Sequence, residues 1–188
     1  MVLLKQFNLE HLPVYLGASA TGVNKSIADE HNNMLRNTAE CMAAIVGGVN
    51  SVQINAHDFL HEETSNGKRW ARNIAHILRK ESYFDKVTDP TKGSYYIEEL
   101  TDKFATEAWE EFKLIETEGG FLEAVSKGII QKKIQKNANA LKLAVESKDI
   151  VLVGVNKYEP TSKPESLNNL EQSNSGFLKP LRLAEPFE

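Results

Sequence analysis

The stretch His57-Asp58-Phe59-Leu60-His61-Glu62-Glu63 sets two histidines four residues apart among three carboxylates, side chains that bind metals or move protons. On a helix that spacing puts both imidazoles on one face, as in the HExxH zinc proteases. Three features argue against a metal centre built on this pair. Glu62 does not lie between the histidines, the segment follows a strand rather than a helical pattern, and spacing nominates no third ligand. No metal is expected here. His11, His31 and His76 are scattered and read as surface or internally satisfied residues. Cys41 sits in the apolar-rich segment Ala39-Glu40-Cys41-Met42-Ala43-Ala44-Ile45, where a thiol packs as a small hydrophobe, so it takes no catalytic role.

The elements that position this stretch follow from periodicity. Val14-Tyr15-Leu16-Gly17-Ala18-Ser19 reads as a short strand running into Ala20-Thr21-Gly22, and Ser51-Val52-Gln53-Ile54-Asn55-Ala56 alternates as a second strand. The histidine stretch therefore sits at a strand's C-terminal end. Between the strands, Ser26 and Asp29 are candidate caps for a helix through Met34, Leu35, Thr38, Cys41, Met42 and Ile45, closed by a left-handed cap at Gly47-Gly48. A second helix is expected from Lys68 to Ser82, where Trp70, Ile74, Ile77 and Leu78 recur with Arg69, Arg72, Arg79 and Lys80 interleaved.

After the Asp89-Pro90-Thr91-Lys92-Gly93 turn, Tyr96, Leu100, Phe104, Ala108, Phe112 and Ile115 line one helical face up to Gly119-Gly120. A further helix carries Leu122, Val125, Ile129, Ile134, Ala138, Leu141 and Val145, ending near Asp149 before the apolar run Ile150–Val155. The two read as a long antiparallel helical hairpin. From about Glu159 the Ser, Pro, Asn and Glu content rises, as in a linker or tail. The boundaries drawn are thus 1–82, 83–158 and 159–188.

At 188 residues and 41% hydrophobic content, the chain can build a core of ordinary domain size. Its net charge of -4 and pI near 5.8 provide no general attraction to phosphate backbones or anionic lipid, so neither nucleic acid nor a membrane is expected as partner. One cysteine excludes an intrachain disulfide, and with no secretory h-region or long apolar run the expected compartment is the cytoplasm. Strand–helix–strand–helix order is the unit of parallel α/β sheets, whose chemistry gathers at the strands' C-terminal ends. Two parallel strands alone leave two open edges, so these units should belong to a larger sheet or pair with another chain.

Four segments, NNMLRNTAECMAAIVGG, ARNIAHILRKES, DPTKGSYYIEELT and VLVGVNKY, resemble the methylmalonyl-CoA mutase family, in order, from about Pro13 to Tyr158. The resemblance implies an α/β fold: the last two βα units of a (β/α)8 TIM barrel, followed by the helical hairpin leaving it. A complete barrel needs about 250 residues, so the chain is expected to be a fragment. The family's activity is the cobalamin-dependent isomerisation of methylmalonyl-CoA to succinyl-CoA, with cobalamin packed on the barrel's C-terminal face.

Catalytic members end the first strand in Arg-Ala-His-Cys-Gln-Thr-Ser-Gly-Trp. Here Tyr15 stands for the arginine, Gly17 for the histidine, Ser19 for the glutamine and Val23 for the tryptophan, and Gly22 is kept. At the second strand end Gln53 replaces a histidine, Asn55 and Asp58 are kept, and Phe59 occupies the place of a glutamate that meets the adenosyl ribose. Gly22, Asn55 and Asp58 are thus vestigial cofactor positions. Arg72 and Asn73, matching the family's Ala-Arg-Asn-Thr near the entrance of the last barrel helix, are by that resemblance candidates for a CoA contact at a helix N-terminus, with bracing of that corner as the structural alternative.

Losing arginine, histidine, glutamine and glutamate together removes the groups that hold an anionic thioester and a polar cofactor. No catalytic residue is therefore expected. The sequence looks most like the family's small, non-catalytic subunit, which binds no cofactor and stabilises a catalytic partner carrying adenosylcobalamin in a heterodimer; the fragment itself is expected to self-associate. The Asp-x-His-x-x-Gly cobalamin motif is absent, and Leu178, Pro180, Leu181 and Leu183 resemble the linker toward the domain that bears it. Two alternatives stay open: a catalytic relative acting on another acyl-CoA through Tyr15, Gln53 and His57, and a helical interaction module. Lys127, Lys132, Lys133, Lys136 and Lys142 read as a solvated face, Trp109 and Phe112 as packing residues, and Gly93-Ser94-Tyr95 as a structural joint.

Overall fold

A computed structural model describes residues 14–161 and 178–188. Strand β1 (Gly17–Ser19) pairs in parallel with β2 (Ser51–Gln53), with Ala18 opposite Val52. The fold among the described residues is mixed, mainly helical with this small parallel sheet. Each strand keeps three residues, against the expected spans 14–19 and 51–56; the Ala20 and Asn50 amides still donate to the Gln53 and Leu16 carbonyls, but side chains take other groups of the flanking backbone. The Leu16 amide donates to Asn50 Oδ1 at 2.8 Å, Asn55 Nδ2 donates to the Ala20 carbonyl at 3.0 Å, and Asn37 Nδ2 donates to the Asn55 carbonyl at 2.9 Å.

Helix α1 (Asn32–Val46) returns the chain between the strands. Ser26 and Asp29, expected as its caps, form the preceding turn instead: the Asp29 amide donates to Ser26 Oγ at 3.1 Å and Asn32 Nδ2 donates to Asp29 Oδ2 at 2.5 Å. At the other end Gly48, at φ +79°, supplies the left-handed residue, and the Val49 amide reaches back to the Ala44 carbonyl. Helix α2 (Ser65–Lys80) begins three residues before the expected Lys68, because Thr64 caps it by accepting the Gly67 amide at 2.9 Å. Cys41 of α1 and Ile74 and Leu78 of α2 form a buried core, packed by Ile45, Val52, Ile54 and Phe84.

Helix α3 (Tyr95–Thr117) buries none of its residues. Tyr96 and Phe104 on its apolar face are 71% and 63% exposed, and Trp109 stacks on Phe112 with ring centroids 5.2 Å apart. The single helix expected over 122–145 is broken into α4 (Phe121–Ser126) and α5 (Ile129–Glu146), because Gly128 turns left-handed at φ +72°. Helix α4 packs on both α3 and α5, and Lys133 of α5 ion-pairs with Glu111 of α3. A two-helix hairpin is thus replaced by three helices.

The apolar run after α5 is a loop organised by Asn156, which is 3% exposed. Its Oδ1 accepts the Leu152 amide and its Nδ2 donates to the Val145 and Ile150 carbonyls, all at 2.8 Å. Arg36 of α1 donates to the Val153 carbonyl, and Gly154 lies so close to Asp29 that a Cβ there would stand 2.3 Å from its carboxylate. The segment 178–188 docks on the loop after β1: Leu183 and Ala184 are buried, the Leu183 amide donates to the Val23 carbonyl at 2.9 Å, and Glu188 accepts the Ile27 amide. The remainder of the expected tail lies outside the described residues, as does His11. No described helix is long and apolar enough to cross a membrane.

Candidate functional site at the strand ends

The parallel register brings Ala20-Thr21-Gly22 and Asn55–Leu60 side by side at the carboxyl ends of β1 and β2. A Cβ on Gly22 would meet Leu60 Cδ2 at 3.4 Å and Phe59 Cζ at 3.5 Å, so these two apolar side chains close over the glycine. Asn55 directs its amide to the Ala20 carbonyl and ties the two loops together.

Asp58 is 5% exposed and points back into the fold. Its Oδ2 accepts the Thr64 amide at 3.1 Å and the Thr64 hydroxyl at 2.5 Å. Burial alone would raise the carboxyl pKa, but these two hydrogen bonds and the neighbouring His57 outweigh it and hold the pKa below its ordinary value. Gly67 in the first turn of α2 has no side chain because Asp58 fills the space: a Cβ would lie 2.2 Å from Oδ1. That Oδ1 is buried without a hydrogen-bond partner, as is His57 Nδ1, 3.8 Å away. The His57 ring lies between His31 and Trp70, at centroid distances of 5.4 and 5.2 Å.

Polar residues of α1 hold these loops from behind. Asn33, fully buried, accepts the Ser26 amide and donates to the Ser26 and His57 carbonyls. Lys25 is fully buried with its Nζ 2.5 Å from Glu40 Oε1. Burial pushes the Lys25 pKa down while Glu40 opposes the shift, and burial likewise lowers that of Arg36. Sequence reasoning missed Lys25, Asn33, Asn37 and Glu40. The signal was the recurrence of 33, 37 and 40 at helical steps on a helix also expected to bury Cys41.

Gly22 and Asn55 therefore lie together at the strand ends, whereas Asp58 turns its carboxylate away, onto Thr64 and against Gly67. His61 is exposed and separate from His57's ring neighbours, so the two do not form the helical pair considered from spacing. Arg72 and Asn73 stand in the middle of α2, about 10 Å along its axis from the first turn. The expected helix N-terminal placement is therefore corrected, the cause being the earlier start at the Thr64 cap. Arg72 is exposed and Asn73 half-buried. A hollow of about 170 Å³ between the strand pair and α1, lined in part by Ser19, Thr21, Glu40 and Gln53, is below the size of sites that enclose drug-sized ligands.

A parallel strand pair with a helix returning between its strands is an α/β unit within this mainly helical fold. The family model for methylmalonyl-CoA mutase matches residues 9–180, and the chain belongs to that family. It is 34% identical over 154 residues to a methylmalonyl-CoA mutase small subunit of Porphyromonas gingivalis, covering 81% of this chain and 25% of that protein. It is 38% identical over 139 residues to a methylmalonyl-CoA mutase of Rhizobium meliloti, covering 73% and 20%. To the mitochondrial methylmalonyl-CoA mutase of Bos taurus it is 35% identical over 174 residues, covering 92% and 23%. The chain spans a quarter or less of the length of these relatives.

Proposed function

We propose that this chain is the C-terminal part of the barrel of a small, non-catalytic methylmalonyl-CoA mutase subunit, which stabilises a catalytic partner in a heterodimer. In this reading residues 1–82 form the last two βα units of a TIM-type barrel, 83–158 the helical extension and 159–188 a linker, and the complex works in the cytoplasm. The observation that carries it is Phe59, which packs with Leu60 over Gly22, at the position where the family resemblance implies a glutamate in catalytic members. A phenyl ring accepts no ribose hydroxyl.

The adenosylcobalamin that the family implies does not fit the donor set present. Asn55 spends its amide on Ala20, Asp58 turns one carboxylate oxygen onto Thr64, and Ser19 and Gln53 replace longer or ionisable donors. The cofactor belongs in the catalytic partner. Among the described residues, the outer edges of β1 and β2 pair with no further strand and α3 buries none of its residues, which supports a larger assembly, met by the rest of the barrel and the partner subunit, or by self-association of the fragment.

Equilibrium binding of adenosylcobalamin and methylmalonyl-CoA, with turnover, on the full-length subunit alone tests this. The expected outcome is no turnover and no tight cofactor binding; tight binding with turnover would overturn it. In the assembled complex, Tyr15→Ala and Gln53→Ala are expected to leave turnover unchanged. A large loss would instead favour a catalytic relative using those residues on another acyl-CoA.

A further inference from the structure

We propose a divalent transition-metal site, of the class that takes Zn2+ or Co2+, formed by Glu30, His31 and His57. One ligand atom from each lies within 4.8 Å of the others. Glu30 and His31 enter from the turn before α1, and His57 from the loop after β2. The set is two imidazoles and one carboxylate, a composition that leaves a coordination position open to water or a small ligand.

The geometry is close to a closed site. Tetrahedral donors at metal distances of about 2.1 Å stand about 3.4 Å apart, and imidazoles bound that way have ring centroids about 5.2 Å apart. The His31 and His57 centroids are 5.4 Å apart, and the residual closure falls on the exposed His31 and half-buried Glu30. A ring stack alone would explain the centroid distance, but it would not bring a carboxylate to the same point.

A second observation supports the site. His57 is 5% exposed and its Nδ1 is buried with no hydrogen-bond partner, as is Asp58 Oδ1 at 3.8 Å. A small approach of these two atoms makes the carboxylate–histidine pair that orients metal-bound imidazoles, and it leaves Nε2 as the metal's nitrogen. Both orphaned atoms are then satisfied. Sequence spacing around His57 pointed to His61; the ligands that meet it come from the other side of α1.

The test uses the chain stripped with chelator and titrated with Co2+, in a Trp109→Phe background so that emission reports Trp70, whose ring centroid is 5.2 Å from that of His57. One Co2+ per chain is expected, with visible d–d absorption, quenching of Trp70, and displacement by Zn2+. Glu30→Gln and His31→Ala, both at accessible positions, should each weaken Co2+ binding by about tenfold to a hundredfold, an effect at least that of losing an outer-shell partner. His61→Ala and His76→Ala should leave it unchanged. Absence of saturable binding, binding that survives both Glu30→Gln and His31→Ala, or binding lost with His61 or His76 would overturn the site.

Discussion

Gly67→Ala is ordinarily a stabilising change inside a helix, worth up to about 1 kcal/mol. Here it should destabilise. The added Cβ would lie 2.2 Å from Asp58 Oδ1 and 2.8 Å from both Cγ and Oδ2, so the carboxylate must retreat by about 1 Å to reach even a C–H···O separation. Retreat breaks the hydrogen bonds that Oδ2 accepts from the Thr64 amide and hydroxyl. Each is charge-assisted and worth about 1.5 kcal/mol at the low end, appropriate because Thr64 is exposed to replacement water. The balance is a loss of about 2 kcal/mol, read by urea unfolding followed by far-UV circular dichroism. Placed on Asp58→Ala, where the obstacle is gone, the same substitution should stabilise by up to about 1 kcal/mol, a coupling of about 3 kcal/mol between the two sites. A neutral or stabilising Gly67→Ala in the unaltered chain would refute the steric reasoning.

Three further outcomes are expected. Glu40→Ala leaves the fully buried Lys25 ammonium without its counter-charge and should cost about 3 kcal/mol in urea unfolding, whereas Lys25→Met, which removes the charge itself, should change stability by less than about 1 kcal/mol. Equal effects of the two would contradict the ion-pair argument. Asn156→Ala strips three hydrogen bonds from the loop that closes α5 and should cost about 3 kcal/mol, most visibly as faster amide exchange at Leu152. Burial raises the Cys41 thiol's pKa, so the native thiol should react with a disulfide reagent only after unfolding. Above the ordinary thiol pKa the unfolded chain releases a proton that the native chain keeps, so this group makes stability fall as pH rises there. Rapid labelling of the folded chain would show that Cys41 is not in the core.

The helices were legible because their apolar positions recur locally. Ile74 and Leu78 are a turn apart and both reach the core, and Gly47-Gly48 and Gly119-Gly120 mark ends that the structure keeps. What failed was decided by competition from single polar side chains. Asn37, Asn50 and Asn55 take backbone groups that would have extended the strands, Thr64 moves the start of α2, and Gly128 divides the expected second arm of the hairpin. Periodicity carries no information about those choices, because one hydrogen bond to a neighbouring segment decides each.

By itself the sequence determined the helix content, the parallel strand order, family membership through motifs spread along the chain, and the presence of an apolar Phe59 beside Asp58. Each of these is written in contiguous residues or in residue identity. Only the tertiary structure decided that His57 faces His31, Glu30 and Trp70 rather than His61, and that Asp58 braces Thr64 and excludes a side chain at Gly67. Those meetings arise where the parallel pairing of β1 with β2 folds the turn before α1 against the loop after β2, a juxtaposition of distant segments that no local spacing encodes.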